Sequence, residues 1–356
     1  MTHAALHTRL CELFGVRYPI VQTGMGWVAG PRLTQATSNA GGLGILAGAT
    51  LTPEQFAPAI RNIKERTDQP FGVNLRADAP DIEDRVALII DQGVRVASFA
   101  SPPAERVVKT LKDAGVVVMP TIGARRHAEK VAALGVDAVI AQGAEGGGHT
   151  GVVPTTLLVP QVVDAVDIPV VAAGGFFDGR GLVAALAYGA SGIAMGTRFL
   201  LTRESRVPDD VKSIYLETPV TGTVVTRAID GAPQRVIRTK LIDRLEGAGR
   251  LVALPRAVRN ALRFRKLTGT PLRDLVREGL SMKKSQDLSY GQMIMAANAP
   301  MLTKATMVDG HLETGILPTG MGVGVIDELP TVAELIQRIV AEAEAALTRL
   351  GAPARS

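Results

Sequence analysis

A chain of 356 residues accommodates one large domain or two ordinary ones, and 46% hydrophobic with 21% charged residues is a globular composition. A single cysteine, Cys11, excludes an intrachain disulfide and a cysteine-based metal site, which fits a reducing cytoplasm. No apolar run approaches the ~20 residues of a membrane span, and the first residues lack the order of a signal peptide.

From residue 16 to 200, short apolar runs alternate with longer helical ones. Eight runs read as strands: Tyr18–Thr23, Leu43–Ala47, Phe71–Leu75, Val94–Ala100, Val116–Ile122, Ala138–Gln142, Pro169–Ala173 and Gly192–Gly196. Helical patterns lie between them, including Thr52–Arg66, Asp81–Gln92, Ala104–Ala114, Arg125–Leu134 and Gly179–Tyr188. Thr52-Pro53-Glu54 places a capping residue and a proline where a helix starts. This alternation predicts parallel strands with helical crossovers. Eight units predict a closed (β/α)₈ TIM barrel, with an open doubly wound sheet as the alternative. Glycine or polar residues recur after most strands, so closure would gather them at one mouth.

The eighth strand lacks its immediate helix. The next strong amphipathic helix is Thr331–Leu347, after Gly320-Met321-Gly322. The expected organisation is therefore a barrel over 1–200 and 318–356, with an inserted, mostly helical cap at 201–317. Within the insert, Val220–Val225 and Arg235–Arg238 flank the turn former Asp230-Gly231 and predict a hairpin. Helical runs follow at Leu241–Glu246, Ala257–Leu267, Leu272–Gly279 and Tyr290–Ala297.

The net charge of +5 conceals an asymmetry. Between Arg235 and Lys284 fourteen basic residues face four acidic ones, a local excess of +10 that leaves the remainder near −5. Such a field suggests a polyanionic partner.

The stretch Gln142 to Gly151 is the strongest site signal. Five of its ten residues are glycine, so backbone can approach a flat or phosphorylated ligand, and one imidazole, His149, sits inside it. Histidine titrates near neutral pH and can take a proton from an activated carbon. Glu145 either orients His149 or stays solvated. His127 lies on a helical run and reads as surface; His3, His7 and His311 receive no role.

Five motifs in order carry a resemblance: Tyr18 to Gly26, Gly41-Gly42-Leu43-Gly44, Gln142 to Gly151, Ala172-Ala173-Gly174-Gly175, and Ala194-Met195-Gly196-Thr197-Arg198-Phe199. Together they resemble the nitronate monooxygenase (2-nitropropane dioxygenase-like) family, which is related to flavin enoyl-thioester reductases. The likeness covers nearly the whole chain and implies a TIM barrel carrying non-covalent FMN. Thr23 to Gly30, Gly174 to Gly181 and the basic insert are similar to an actinobacterial subgroup in steroid catabolism. Members of that subgroup dehydrogenate or reduce a hydroindane-carboxyl-CoA derived from rings C and D. The chain departs from relatives at Gly320-Met321-Gly322, where a Gly-Gln pair is common.

The resemblance assigns FMN contacts to Gly24, Met25, Asn74, Gln142, Gly147, Gly174, Gly175, Met195, Gly196 and Thr197. The glycines and Thr197 at the ends of strands seven and eight fall where barrels bind phosphate. Asn74 is otherwise a turn residue, and Met25 otherwise ordinary core. The resemblance makes His149 the acid/base. The expected activity is α,β-dehydrogenation or reduction of a cyclic acyl-CoA, with oxidation of alkyl nitronates by oxygen as the alternative. NAD(P) or O2 is left open as redox partner, and homo-oligomerisation is left open too. Arg259, Arg263, Arg265 and Lys266 form the basic cluster expected to meet CoA phosphates; a solvated helix face is the plain alternative. A basic arm for membrane surfaces or nucleic acid is a third reading, the latter disfavoured by 4% aromatics.

Overall fold

Eight parallel strands close on one another in a computed structural model that describes residues 3–247, 301–312 and 315–351. They are β1 (Ile20–Gln22), β2 (Leu43–Leu46), β3 (Phe71–Leu75), β4 (Val96–Phe99), β5 (Val117–Ile122), β6 (Val139–Gln142), β8 (Val170–Ala173) and β9 (Gly192–Met195). β9 returns to β1 through Ile20↔Ile193 and Gln22↔Met195, so the sheet has no edge and the open-sheet alternative is excluded.

Short, branched, fully buried strands make this closure possible. Alternation sends one set of side chains inward: Val21, Leu43, Ile45, Val96, Val117, Met119, Ala138, Ile140, Val171, Ala173 and Ala194 form a continuous interior cluster. Helix α1 (Arg9–Phe14) plugs its lower end, because Leu10 and Phe14 belong to the same cluster. The same parity continues upward to Ser98 above Val96, Thr121 above Met119 and Gln142 above Ile140. Asn74 follows Gly72, which faces Ile45, and its amide donates to Ser98 O at 3.4 Å. The inward residues thus change from apolar to polar at the C-terminal end of the strands, the end at which barrels place chemistry.

Helices α2 (Pro31–Asn39), α3 (Pro53–Lys64), α4 (Ile82–Asp91), α5 (Glu105–Asp113), α6 (Arg125–Ala133), α7 (Thr155–Val163) and α8 (Gly179–Ala187) cover the outside. Thr52 and Gln55 form a reciprocal capping box with Pro53 in the first turn, as the sequence indicates. After β9 come α9 (Thr197–Leu200) and α10 (Asp209–Glu217). The C-terminal helix, Val332–Gly351, completes the outer ring. It packs on α8 so closely that a Cβ on Gly179 would lie 2.3 Å from Ile339 O.

The predicted hairpin is present, formed by β10 (Thr223–Thr226) and β11 (Gln234–Ile237). A two-residue strand, β7 (Gly148–His149), adds to β11 through Gln234↔His149 and Arg235↔Gly148. The hairpin therefore docks on the glycine-rich loop that follows β6. Helix α11 (Lys240–Gly247) matches the first helical run of the insert. The runs at 257–267, 272–279 and 290–297 lie outside the described residues.

Candidate active site

Several of the rim glycines have neighbours that leave no space for a side chain, whereas Gly196 would meet its neighbours at ordinary contact distance. A Cβ on Gly24 would sit 2.4 Å from Asn74 Cβ; one on Gly196 would lie 3.4 Å from Met25 S and from Thr23 Oγ1. A Cβ on Gly147 would lie 2.4 Å from Thr319 C and 2.6 Å from Gly320 N, and one on Gly146 would strike the Gln142 side chain at 2.7 Å. Gly320 N donates to Thr197 Oγ1 at 2.9 Å, and Met321 N donates to Glu145 O at 2.9 Å. Asn74, Gly24, Met25, Gly196, Thr197, Gly320, Gly147 and Gln142 thus form a connected line of close approaches around the barrel mouth. Met195 is buried just below it in β9. Asn74 is a strand residue, 8% exposed, so its reading as a turn former is excluded. Met25 is partly buried against the core while its sulfur borders Gly196.

The end of β8 provides a backbone cradle. Gly174 and Gly175 hold φ of 102° and 81°, a region closed to most side chains, and both follow directly from a buried strand. The neighbouring helix α8 contributes less than its position suggests. Its Gly181 N–H already donates to Asp178 Oδ1 at 2.9 Å, and its Gly179 N–H to Glu342 Oε2 at 2.8 Å. Gly174–Gly175 and Gly196–Thr197 are the residues that an anion at this rim would meet. These residues fit a flavin phosphate: glycine backbone, a threonine hydroxyl, and a flanking polar layer of Asn74 and Gln142 for a ring edge.

Gln142 also fixes the loop above it, donating from Nε2 to His149 O at 2.8 Å. The His149 side chain is 66% exposed, and its Nε2 lies 2.8 Å from Asp230 Oδ2. Asp230 comes from the β10–β11 turn and is largely buried, at 17% side-chain exposure. Burial opposes its ionisation. The hydrogen bond and charge of His149, with donation from Ala232 N–H and the Gln234 amide, outweigh burial and hold the carboxyl below its ordinary range.

Neither expectation for Glu145 holds. Its carboxylate accepts from Thr155 N at 3.0 Å and Thr155 Oγ1 at 2.6 Å, placing a negative charge at the start of α7. Asp230 takes the place beside His149. Sequence reading saw Asp230-Gly231 only as turn chemistry, because a two-residue strand such as β7 carries no periodicity from which its partner can be read. Arg235 is read from the sequence as a hairpin residue and a basic charge, with no contact assigned. Its Nη2 donates to Ala144 O at 3.0 Å and its Nη1 to Thr223 Oγ1 at 2.9 Å, clamping the hairpin to the loop. Arg259, Arg263, Arg265 and Lys266 lie outside the described residues.

The profile of the nitronate monooxygenase family matches residues 7–87 and 82–342. The chain is 58% identical over 349 residues to a protein of Rhodococcus jostii strain RHA1, a match spanning 98% of this chain and 99% of that one. The Rhodococcus protein is named (3aS,4S,5R,7aS)-5-hydroxy-7a-methyl-1-oxo-octahydro-1H-indene-4-carboxyl-CoA dehydrogenase. A Staphylococcus saprophyticus protein named "Probable nitronate monooxygenase" is 34% identical over 287 residues, covering 67% of this chain and 81% of that one. Among solved structures, FabK of Thermotoga maritima superposes with a TM-score of 0.78 at 32% identity, over 97% of this chain and 98% of that one.

Proposed function

From the nitronate monooxygenase family, to which this chain belongs, we propose an FMN-dependent dehydrogenase of a cyclic, hydroindane-type acyl-CoA in steroid ring breakdown. Gly174, Gly175, Gly196 and Thr197 would hold the phosphate of FMN, and Met25, Asn74 and Gln142 its ring and ribityl chain. Gly24 and Gly147 shape the rim, and Met195 supports it from below. Bound FMN supplies a two-electron acceptor for hydride.

The observation that carries the reading is His149, held at the rim by Gln142 and Asp230 with most of its ring open to an incoming substrate. A thioester carbonyl acidifies the C–H beside it. His149 removes that proton while hydride leaves the β carbon for the two-electron acceptor, so a proton and a hydride depart and a C=C bond forms. A base in place contributes about 10² to 10⁴ in rate. The β10–β11 hairpin docks on the loop after β6, and we assign the basic residues Arg259, Arg263, Arg265 and Lys266 to CoA phosphates.

Nitronate oxidation with O2 is the second reading, favoured by the Staphylococcus relative. That relative aligns with 67% of the chain, whereas the relative named for a CoA substrate aligns with 98%, insert included. The test is anaerobic mixing with a panel of CoA esters while the flavin band is followed. Wild type should bleach, and His149→Ala should remain yellow and bleach 10² to 10⁴ times more slowly. Turnover of propionate-3-nitronate in air without bleaching by any thioester would select the second reading.

A further inference from the structure

We infer that Asp230, carried into the site by the inserted hairpin, is the positioning residue that fixes the tautomer of His149 and so makes Nδ1 the basic nitrogen. The inference rests on the assignment of His149 as the base and adds which atom acts and what controls it.

The geometry is specific. Nε2 of His149 faces Asp230 Oδ2 at 2.8 Å. An ionised carboxylate only accepts, so the hydrogen between them sits on Nε2 and the lone pair falls on Nδ1. Asp230 accepts from three donors, one of them the imidazole. Its Oδ1 takes Ala232 N–H at 3.1 Å, and its Oδ2 also takes the Gln234 amide. That same amide nitrogen stands 3.1 Å from His149 Nε2. Two groups therefore compete for one ring nitrogen. Asp230 requires a hydrogen there; without Asp230, Gln234 would donate to it and move the hydrogen to Nδ1, masking the base. The other charged groups of the packed elements are engaged elsewhere: Arg235 with Ala144 O and Thr223, and Glu145 with Thr155. The hairpin thereby completes the acid/base unit of the barrel.

The test reads the tautomer directly. The chain has five histidines, so long-range proton–nitrogen correlation spectra of ¹⁵N-histidine-labelled protein, flavin-free and flavin-loaded, are tractable, with His149→Ala identifying the signal. Wild type should show the Nε2–H form of His149. Asp230→Ala should show the Nδ1–H form and slow substrate-driven flavin reduction by about 10² or more, with little change in half-saturation. Asp230→Ala/Gln234→Ala should recover at least about tenfold over the single variant, because the competing donor is gone. A wild-type Nδ1–H signal, an unchanged spectrum in Asp230→Ala, or a double variant no faster than the single one would each overturn the inference. The wild-type spectrum needs no substitution to fold. A catalytically normal His149→Ala with the expected spectra would instead remove His149 from the chemistry and leave the tautomer control standing.

Discussion

Gly147→Ala is the sharpest test of how the mouth is held. The new methyl would stand 2.4 Å from Thr319 C and 2.6 Å from Gly320 N, both backbone atoms that cannot rotate away. The loop after β6 must then part from the segment 319–321. That separation breaks Met321 N–H to Glu145 O and Gly320 N–H to Thr197 Oγ1, both 2.9 Å. At ~0.5–1.5 kcal/mol per hydrogen bond, with ~1–3 kcal/mol for overpacking, a loss of about 2–6 kcal/mol follows. Gly148→Ala is the control. Its φ of 66° is strained for alanine, yet nothing lies within 4 Å of the added methyl, so only about 1–2 kcal/mol is at stake. Urea unfolding followed by circular dichroism gives the stabilities, and quenching of flavin fluorescence gives FMN affinity. Gly147→Ala should weaken FMN by about tenfold for every 1.4 kcal/mol that falls on the rim, and more than Gly148→Ala does. Equal behaviour of the two variants, or wild-type affinity in Gly147→Ala, would refute the reasoning.

Gly179→Ala should destabilise the whole chain by about 3 kcal/mol or more, because its methyl meets Ile339 O at 2.3 Å and Ala343 N at 2.4 Å on the C-terminal helix; a normal unfolding midpoint would contradict this. Arg235→Met should loosen the hairpin by about 2–3 kcal/mol through lost charged donation to Ala144 O and Thr223 Oγ1. Faster amide exchange at Val224 and Val236, with the barrel amides unchanged, is the signature. The Asp230 carboxyl is depressed in the folded chain, so its stabilisation is present above its unfolded value of about 3.9 and is lost as pH falls through the lower folded value. The stability gap between wild type and Asp230→Asn should therefore shrink below about pH 4; a gap undiminished at pH 3 would break the linkage.

The barrel was legible because its signal is repetitive. Each strand is a short apolar run closed by glycine or a polar residue, and eight repeats average out an error at any one boundary. The rim glycines were legible for a related reason: Gly147 sits where backbone meets backbone and Gly24 where the Asn74 side chain crosses it, approaches that a side chain would block. The environment of His149 was not legible. Its partner lies 81 residues away on a hairpin whose register is set by four strand pairings and by Arg235 reaching back to Ala144. Local sequence contains the turn and the imidazole but not the pairing that joins them. Glu145 shows the same limit from the other side. Inside the glycine loop, it reads from sequence either as a partner of His149 or as solvated, whereas the fold turns it to Thr155 ten positions on. Placement of a charge follows from which amide needs an acceptor, and at the start of α7 the unpaired Thr155 N–H was the stronger claim. Once Glu145 is committed there, the only carboxylate left within reach of His149 among the described residues is the one the insert delivers, which ties the barrel's chemistry to the hairpin's docking.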